Sequence, residues 1–360
     1  IVAAKKTIDK ILKDGGTPIL MSHLGRPKRN DPEFSLSHIV KDIERVLGVK
    51  VKFTNEVLGE KTTTVVKKSG PGEIVLLENL RFCPEEKNGD LKFAEELSKL
   101  GDSYVNDAFG TAHRAHASTS IIASFFPKNK FAGELLLKEV ESIHKVMNTG
   151  KKPVLGILGG AKVSSKITII NNIMDKVDKL IIGGGMAFTF IKAQGGQIGD
   201  SICEDDKTSL ALSILEKAKE KKVEIYLPND VVCANEFSNE AKTQICPINN
   251  IPSGWQGMDA GPSSLSNFEE AIMSSKTILW NGPVGVFEME NFSKGTIELG
   301  EYISKSTKLG AFSLVGGGDS VAAVKQFNFQ NKVSYVSTGG GAMLESLEGK
   351  TLPGIKALTQ

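Results

Sequence analysis

Short apolar runs and longer mixed stretches take turns along this chain. The runs are bounded by turn residues, and the mixed stretches carry apolar positions three and four residues apart. The first pattern predicts buried strands and the second predicts amphipathic helices. In the first half the predicted strands are 17–24, 49–53, 73–80 and 103–108, with helices between them, for example 37–47 and 91–100. Hairpin signals between these strands are missing, so the alternation predicts a parallel sheet with helices on both faces. The second half repeats the plan, with strands at 152–158, 179–183, 223–227, 276–281, 311–315 and 333–337. Its clearest helix is 209–222, where Leu210, Leu212, Ile214, Leu215 and Ala218 are predicted to face inward and the lysines outward.

Between the halves, Leu136, Val140, Ile143 and Met147 are spaced four, three and four apart. They form one apolar stripe on a helix of several turns, with Gly150 as its expected C-cap. Such a helix either links two domains or covers a sheet, and the pattern suits both. A length of 360 residues fits two domains of roughly 100–200 residues each. No tandem repeat and no low-complexity segment interrupts the plan.

Composition narrows the function classes. The chain is 40% hydrophobic and 24% charged, as ordinary globular proteins are. Its net charge of +2 is too small to argue for nucleic acid or an anionic membrane as partner. No apolar stretch approaches the roughly 18 residues of a membrane span. Cys83, Cys203, Cys233 and Cys246 form no Cys-x-x-Cys pair, and no histidine follows His144, which excludes a Cys/His zinc site in the second half. Four reduced cysteines and a cytoplasmic location are expected. The chain opens on Ile1-Val2-Ala3-Ala4 without an initiator methionine or a signal peptide. It is therefore expected to begin inside a longer gene product or to follow processing.

All five arginines and all five histidines lie in the first 144 residues, against 44 basic residues in all. Arg26 lies in Ser22-His23-Leu24-Gly25-Arg26-Pro27, just after a predicted strand. Arg81 and Arg114 likewise follow the predicted strands ending at Leu80 and Ala108. In a parallel sheet these ends share one edge, so Arg26, Arg81 and Arg114 are expected to converge, with His23 and His116 beside them. Guanidinium groups grip small anions through planar, bidentate contacts.

The second half ends its apolar runs in glycines: Gly159-Gly160, Gly183-Gly184-Gly185, Gly282, Gly316-Gly317-Gly318 and Gly339-Gly340-Gly341. Strand ends that open into glycine turns and helix N-termini suit phosphate. Lys162 and Lys166 are spaced i and i+4 and are expected on one face of a starting helix. Neither a Walker A loop nor Gly-x-Gly-x-x-Gly occurs. Asp319, at a glycine turn, is either a helix cap or a carboxylate for Mg2+, which favours one or two carboxylates plus phosphate oxygens. Glu288 is either a ribose contact or a solvated surface acid.

Taken together, these segments resemble the phosphoglycerate kinase family from end to end. Ser-His-Leu-Gly-Arg-Pro at 22–27, Leu-Glu-Asn-Leu-Arg-Phe at 77–82 and Asp-Ala-Phe-Gly-Thr-Ala-His-Arg-Ala-His at 107–116 resemble its N-domain. Gly-Gly-Ala-Lys-Val at 159–163, Trp-Asn-Gly-Pro-Val-Gly-Val-Phe-Glu at 280–288, Gly-Gly-Gly-Asp-Ser at 316–320 and Ser-Thr-Gly-Gly-Gly-Ala at 337–342 resemble its C-domain. The resemblance implies two doubly wound parallel-sheet, Rossmann-like α/β domains joined by a linker helix and hinge. Residues 1–132 with 345–360 would bind phosphoglycerate, 133–150 would be the interdomain helix, and 151–344 would bind the nucleotide.

It also implies reversible phosphoryl transfer between 1,3-bisphosphoglycerate and MgADP by a monomer, with small molecules as its only partners. His23, Gly25, Arg26, Arg81, Arg114 and His116 would hold the glycerate. Lys162 would act on the migrating phosphoryl group, assisted by backbone N–H groups near Gly318 and Gly341. Lys166, Gly184, Gly261, Glu288, Gly317, Gly318, Asp319 and Ser320 would bind the nucleotide, and Asp319 its Mg2+. Because the acceptor already carries its nucleophilic oxygen, alignment and charge neutralisation would do the catalytic work.

Family members open with a strand reading like Arg-Val-Asp-Phe-Asn-Val-Pro, followed by an arginine, and both are missing ahead of Ile1. A chain confined to these residues is thus expected to be a truncated kinase with negligible turnover and a destabilised N-domain, its C-domain still binding MgADP. A nicotinamide-dependent dehydrogenase is the further alternative, disfavoured by the absent Gly-x-Gly-x-x-Gly.

Overall fold

A computed structural model describes residues 1–360. The chain divides into two units, Ile1–Val140 with Thr351–Gln360, and Glu141–Lys350. No helix is long and apolar enough to cross a membrane.

The first unit contains strands β1 (Ile19–Leu20), β2 (Val51–Phe53), β3 (Ile74–Leu76), β4 (Tyr104–Asn106) and β5 (Lys130–Ala132). Its helices are α1 (Lys5–Lys13), α2 (Val40–Leu47), α3 (Glu60–Lys67), α4 (Pro84–Asn88) and α5 (Leu91–Ser98), with the closing helix Pro353–Thr359. The strands pair in parallel as two sheets, β1-β3-β2 and β4-β5. Pleating sends successive side chains of β3 to opposite faces. Ile74 and Leu76 pack with Ile8, Leu36, Ile43 and Leu47 on one side. Val75 and Leu77 pack with Phe93, Leu97, Tyr104 and Ile122 on the other. Burial on both faces explains why β3 reads as an unbroken apolar run. The predicted strands are present but shorter, and β5 is an addition.

The boundary between units falls inside α6 (Glu134–Met147). This helix buries Leu136, Ile143, Val146 and Met147. Gly150 is not its cap. The helix ends at Met147, and the N–H groups of Asn148 and Thr149 turn back to the His144 carbonyl.

The second unit has at its centre six parallel strands. These are β6 (Val154–Leu158), β7 (Lys179–Ile182), β9 (Glu224–Tyr226), β14 (Thr277–Asn281), β15 (Phe312–Val315) and β16 (Tyr335–Val336), in the order β16-β15-β14-β6-β7-β9. This doubly wound plan matches the sequence pattern strand for strand. Missing from that pattern are the short pair β8 (Gln197–Ile198) and β12 (Asn250–Ile251), and an antiparallel sheet. The sheet is formed by β10 (Asp230–Ala234), β11 (Thr243–Pro247) and β13 (Gln256–Ala260), ordered β11-β10-β13.

Helices α7 (Ile167–Ile173), α8 (Met186–Ala193), α9 (Thr208–Glu220), α10 (Pro262–Met273), α11 (Lys294–Lys308), α12 (Gly318–Gln326) and α13 (Gly341–Leu347) complete the unit. On α9, Ala211, Ile214 and Ala218 are buried while Leu212 is exposed, so Leu212 does not face inward as expected. Trp280 and Ile278 of β14 pack with Leu155, Ile157, Phe268 and Leu299 in the main core.

Candidate active site

In the first unit, the chain leaving β3 is fastened to the loop after β1. Backbone N–H groups of Leu77 and Leu80 donate to the carbonyls of Leu20 and Ser22. Glu78 is buried and accepts from Leu36 N (2.8 Å), Ser35 Oγ (2.7 Å) and Asn79 N (2.7 Å). Asn79 is fully buried. Its Nδ2 donates to the carbonyls of Leu24 and Phe34, and its Oδ1 accepts from Arg81 N. Arg81 Nη1 donates to the Gly25 carbonyl, which sets its guanidinium beside the 22–27 loop.

Five basic side chains gather there. Burial first, then the charges of Arg81, His116 and Arg114, push the His23 imidazole down to about 4, although its ring keeps an exposed edge. Burial also lowers His116, reinforced by Arg114, Arg81, His113 and Lys87. Arg81 is lowered by burial and by Arg114 and Arg26. One carboxylate stands near, Glu86, and both its oxygens are engaged by Ser118. Its oxygens accept from Ser118 N (2.9 Å) and Ser118 Oγ (2.6 Å), and burial raises its pKa despite those bonds and Arg81. His116 Nδ1 is 3.9 Å from it. Cations this close, crowding one another enough to lower His23, His116 and Arg81, are stabilised by a bound anion.

The second unit holds a cavity of about 430 Å³. Its lining includes the apolar side chains of Phe188, Ile202, Val231 and Phe237, with Gly184 and the carboxylates of Asp259, Glu288 and Asp319. The size and the mix of apolar wall and few polar groups suit a small organic ligand. Close backbone approach shapes the polar end. A Cβ at Gly159 would stand 1.9 Å from the Pro283 carbonyl oxygen, so only glycine fits there. Gly317, at φ +93°, is the N-cap of α12, whose first residues are Gly318, Asp319 and Ser320. Ser320 is buried and its Oγ accepts from Gly282 N. Gly261 caps α10, and Gly341 opens α13.

Lys162 and Lys166 do not share a helix face. Helix α7 begins only at Ile167, and Lys166 is its N-cap. Residues 163–166 form a turn closed by Lys166 N to the Val163 carbonyl, with Ser165 Oγ bonded to the Lys162 carbonyl. Serines compete with helix through such local bonds. Lys166 Nζ donates to Asn281 Oδ1 at the end of β14, and burial lowers its pKa against the opposing charge of Asp319. Lys162 is exposed.

Asn281, Asn79, Phe188 and Phe237 were not singled out by sequence reasoning. Asn281 and Asn79 each sit at a strand end beside a chosen residue, the one signal that could have found them.

No three or more His, Cys, Asp or Glu side chains gather where they could cage a metal. Asp319 lines the cavity from the first turn of α12, beside the Gly317 cap, which fits an ion that arrives with phosphate oxygens and takes one protein carboxylate.

A cation cluster on one α/β unit and a cavity lined in part by glycines on the other fit a phosphotransferase of two-unit design. Comparisons with known proteins agree. The family pattern described as phosphoglycerate kinase matches residues 1–350. A phosphoglycerate kinase of Porphyromonas gingivalis is 50% identical over 99% of this chain and 91% of its own length. Cytosolic phosphoglycerate kinase 3 of Arabidopsis thaliana is 47% identical over 100% of this chain and 90% of its own length. The solved phosphoglycerate kinase of Coxiella burnetii superposes with a TM-score of 0.90 at 42% identity, covering 100% of this chain and 90% of that one. That of Pyrococcus horikoshii superposes at 0.82 with 29% identity.

The chain belongs to the phosphoglycerate kinase family, and its activity is that family's phosphoryl transfer. The dehydrogenase alternative is not favoured. The truncated, inactive kinase expected from the sequence is also corrected. Matches extend over 99–100% of this chain and about nine-tenths of each relative, at high identity and in the same fold.

Proposed function

We propose that the first unit binds 3-phosphoglycerate or 1,3-bisphosphoglycerate and the second binds ADP or ATP with Mg2+. The observation that carries this division is the confinement of the converging cations His23, Arg26, Arg81, Arg114 and His116 to one unit and of the cavity to the other. Arg26, Arg81 and Arg114 contact the anionic groups of the glycerate, with His23, Gly25 and His116 around them. The purine lies in the apolar cavity near Gly184 and Gly261, Glu288 takes the ribose, and the glycine turns at Gly317 and Gly318, with Ser320, face the phosphates. Lys166 lies on the nucleotide phosphates.

In the direction of ATP formation, a β-phosphate oxygen of ADP bonds to the phosphorus of the acyl phosphate. The bond from that phosphorus to the carboxyl oxygen breaks, and the carboxylate of 3-phosphoglycerate leaves. No proton has to be removed, so the protein contributes alignment and charge. Lys162 follows the migrating phosphoryl group, and N–H groups near Gly318 and Gly341 donate hydrogen bonds to its oxygens. Asp319 would hold the Mg2+, which neutralises phosphate charge when bound.

The protein's place of work is the cytoplasm, where it acts as a monomer; four free cysteines and the cytosolic Arabidopsis relative support that location. Calorimetry tests the division of ligands: Arg81→Ala should weaken 3-phosphoglycerate and leave MgADP unchanged. Loss of MgADP alone would reject it.

A further inference from the structure

The turn carrying Lys162 and Lys166 is held from outside by one acid. Glu204 lies 40 positions downstream, between β8 and α9. Its Oε2 accepts from Ser164 N at 2.9 Å and its Oε1 accepts from Ser164 Oγ. Its own backbone N–H donates to Thr189 Oγ1 at 3.1 Å. Thr189 is buried on α8, the helix that starts directly after the Gly183-Gly184-Gly185 turn of the cavity. Ile202, two residues before Glu204, lines the cavity itself. Glu204 thus joins the turn at the phosphate end to the helix at the base end. Partial burial would raise its pKa, but bonds from Ser164 Oγ, Ser164 N and Val163 N outweigh this and hold it below the usual range.

The lysines need such a tether. Residues 162–166 lie outside any helix, so no ladder of backbone bonds fixes them. Lys166 has its own anchor on Asn281, whereas Lys162 is exposed. A bidentate carboxylate on Ser164 fixes the backbone two residues from Lys162 through charge-assisted bonds.

We propose that Glu204 is a positioning residue for the reaction: through Ser164 it fixes the turn that presents Lys162 to the migrating phosphoryl group, registered to α8 through Thr189. This rests on the role given to Lys162 above. Displacing a reacting group by about 1 Å costs on the order of a hundredfold in rate. Binding of the nucleotide uses the cavity walls, α12 and Lys166, and Lys166 keeps its own anchor on Asn281 when Glu204 is replaced.

The test uses the full chain with Glu204→Ala, Glu204→Gln, Ser164→Ala and the Glu204→Ala/Ser164→Ala pair. Glu204→Ala should lower kcat about ten- to hundredfold, with KM for 3-phosphoglycerate and Kd for MgADP within about threefold and the melting temperature nearly unchanged. Glu204→Gln keeps one acceptor and should fall in between. The pair should be no worse than Glu204→Ala alone, since Ser164 acts through Glu204. Hydrogen exchange at the Ser164 amide should quicken about tenfold or more in Glu204→Ala, while α10 is unchanged. A near-normal kcat, or a loss confined to MgADP affinity or to melting temperature, would overturn the proposal. So would unchanged exchange at Ser164. If the wild type itself fails to turn over 3-phosphoglycerate with MgATP, the functional reading falls instead, and the Ser164 exchange still decides whether Glu204 fixes the turn.

Discussion

Asn79 donates a 2.8 Å hydrogen bond from its side-chain amide to the carbonyl of Leu24, across 55 positions of sequence. A second bond reaches Phe34, and a third is accepted from Arg81 N. One fully buried side chain therefore fixes the loop carrying His23 and Arg26 against the turn carrying Arg81. Asn79→Ala strips partners from two carbonyls and one N–H, each costing about 1–3 kcal/mol when left unmade. We expect roughly 2–4 kcal/mol of destabilisation in urea unfolding, with weaker 3-phosphoglycerate binding even well below the transition. A loss under about 0.5 kcal/mol, the usual size of a surface change, would show that the loop is held elsewhere.

Lys162→Ala should separate chemistry from binding. Charge on the migrating phosphoryl group changes mainly at the transition state, so kcat should fall strongly while MgADP affinity stays within a few fold. Steady-state kinetics with parallel calorimetry reads both. Near-normal turnover would remove Lys162 from the mechanism.

Arg81→Ala should weaken 3-phosphoglycerate by about 1.5–3 kcal/mol, the value of a charge-assisted contact. The other substrate reports the opposite: MgADP affinity should not move. A titration in which both weaken together would contradict the division of the two ligands between the units.

Acid should destabilise the ligand-free protein through His23. Its pKa is pushed down to about 4 in the folded state, below the ordinary 6.5. The unfolded chain therefore binds the proton first, and stability falls as pH drops from about 6.5 toward about 4, with no further loss below. His116, also lowered, adds in the same direction. His23→Gln should lose less stability between pH 7 and pH 5 than the wild type does in urea titrations. Equal losses would mean that His23 is not crowded by the arginines.

The sequence was most legible where physics is local. Strands such as β6 and β14 are buried on both faces and read as apolar runs. Glycine turns following them mark where the backbone must approach closely. Legibility failed where geometry depends on distant partners. The antiparallel sheet was invisible because β11 buries only Cys246 and leaves Ile245 exposed, so it carries no strand-like run. The Lys162–Lys166 spacing suggested a helix face, yet Glu204 and two serines hold those residues in a turn. Asn79 and Asn281 look like ordinary polar residues until the carbonyl and the ammonium they meet are brought in by the fold.

Phosphoryl transfer itself is the central claim, and ³¹P NMR follows it without coupling enzymes. With 3-phosphoglycerate and MgATP, the chain should produce the acyl phosphate resonance of 1,3-bisphosphoglycerate and that of ADP in equal amounts. The reverse mixture should regenerate ATP, and Lys162→Ala should abolish both at matched concentration. ADP formed with inorganic phosphate and no acyl phosphate, or equal rates for wild type and variant, would contradict the account.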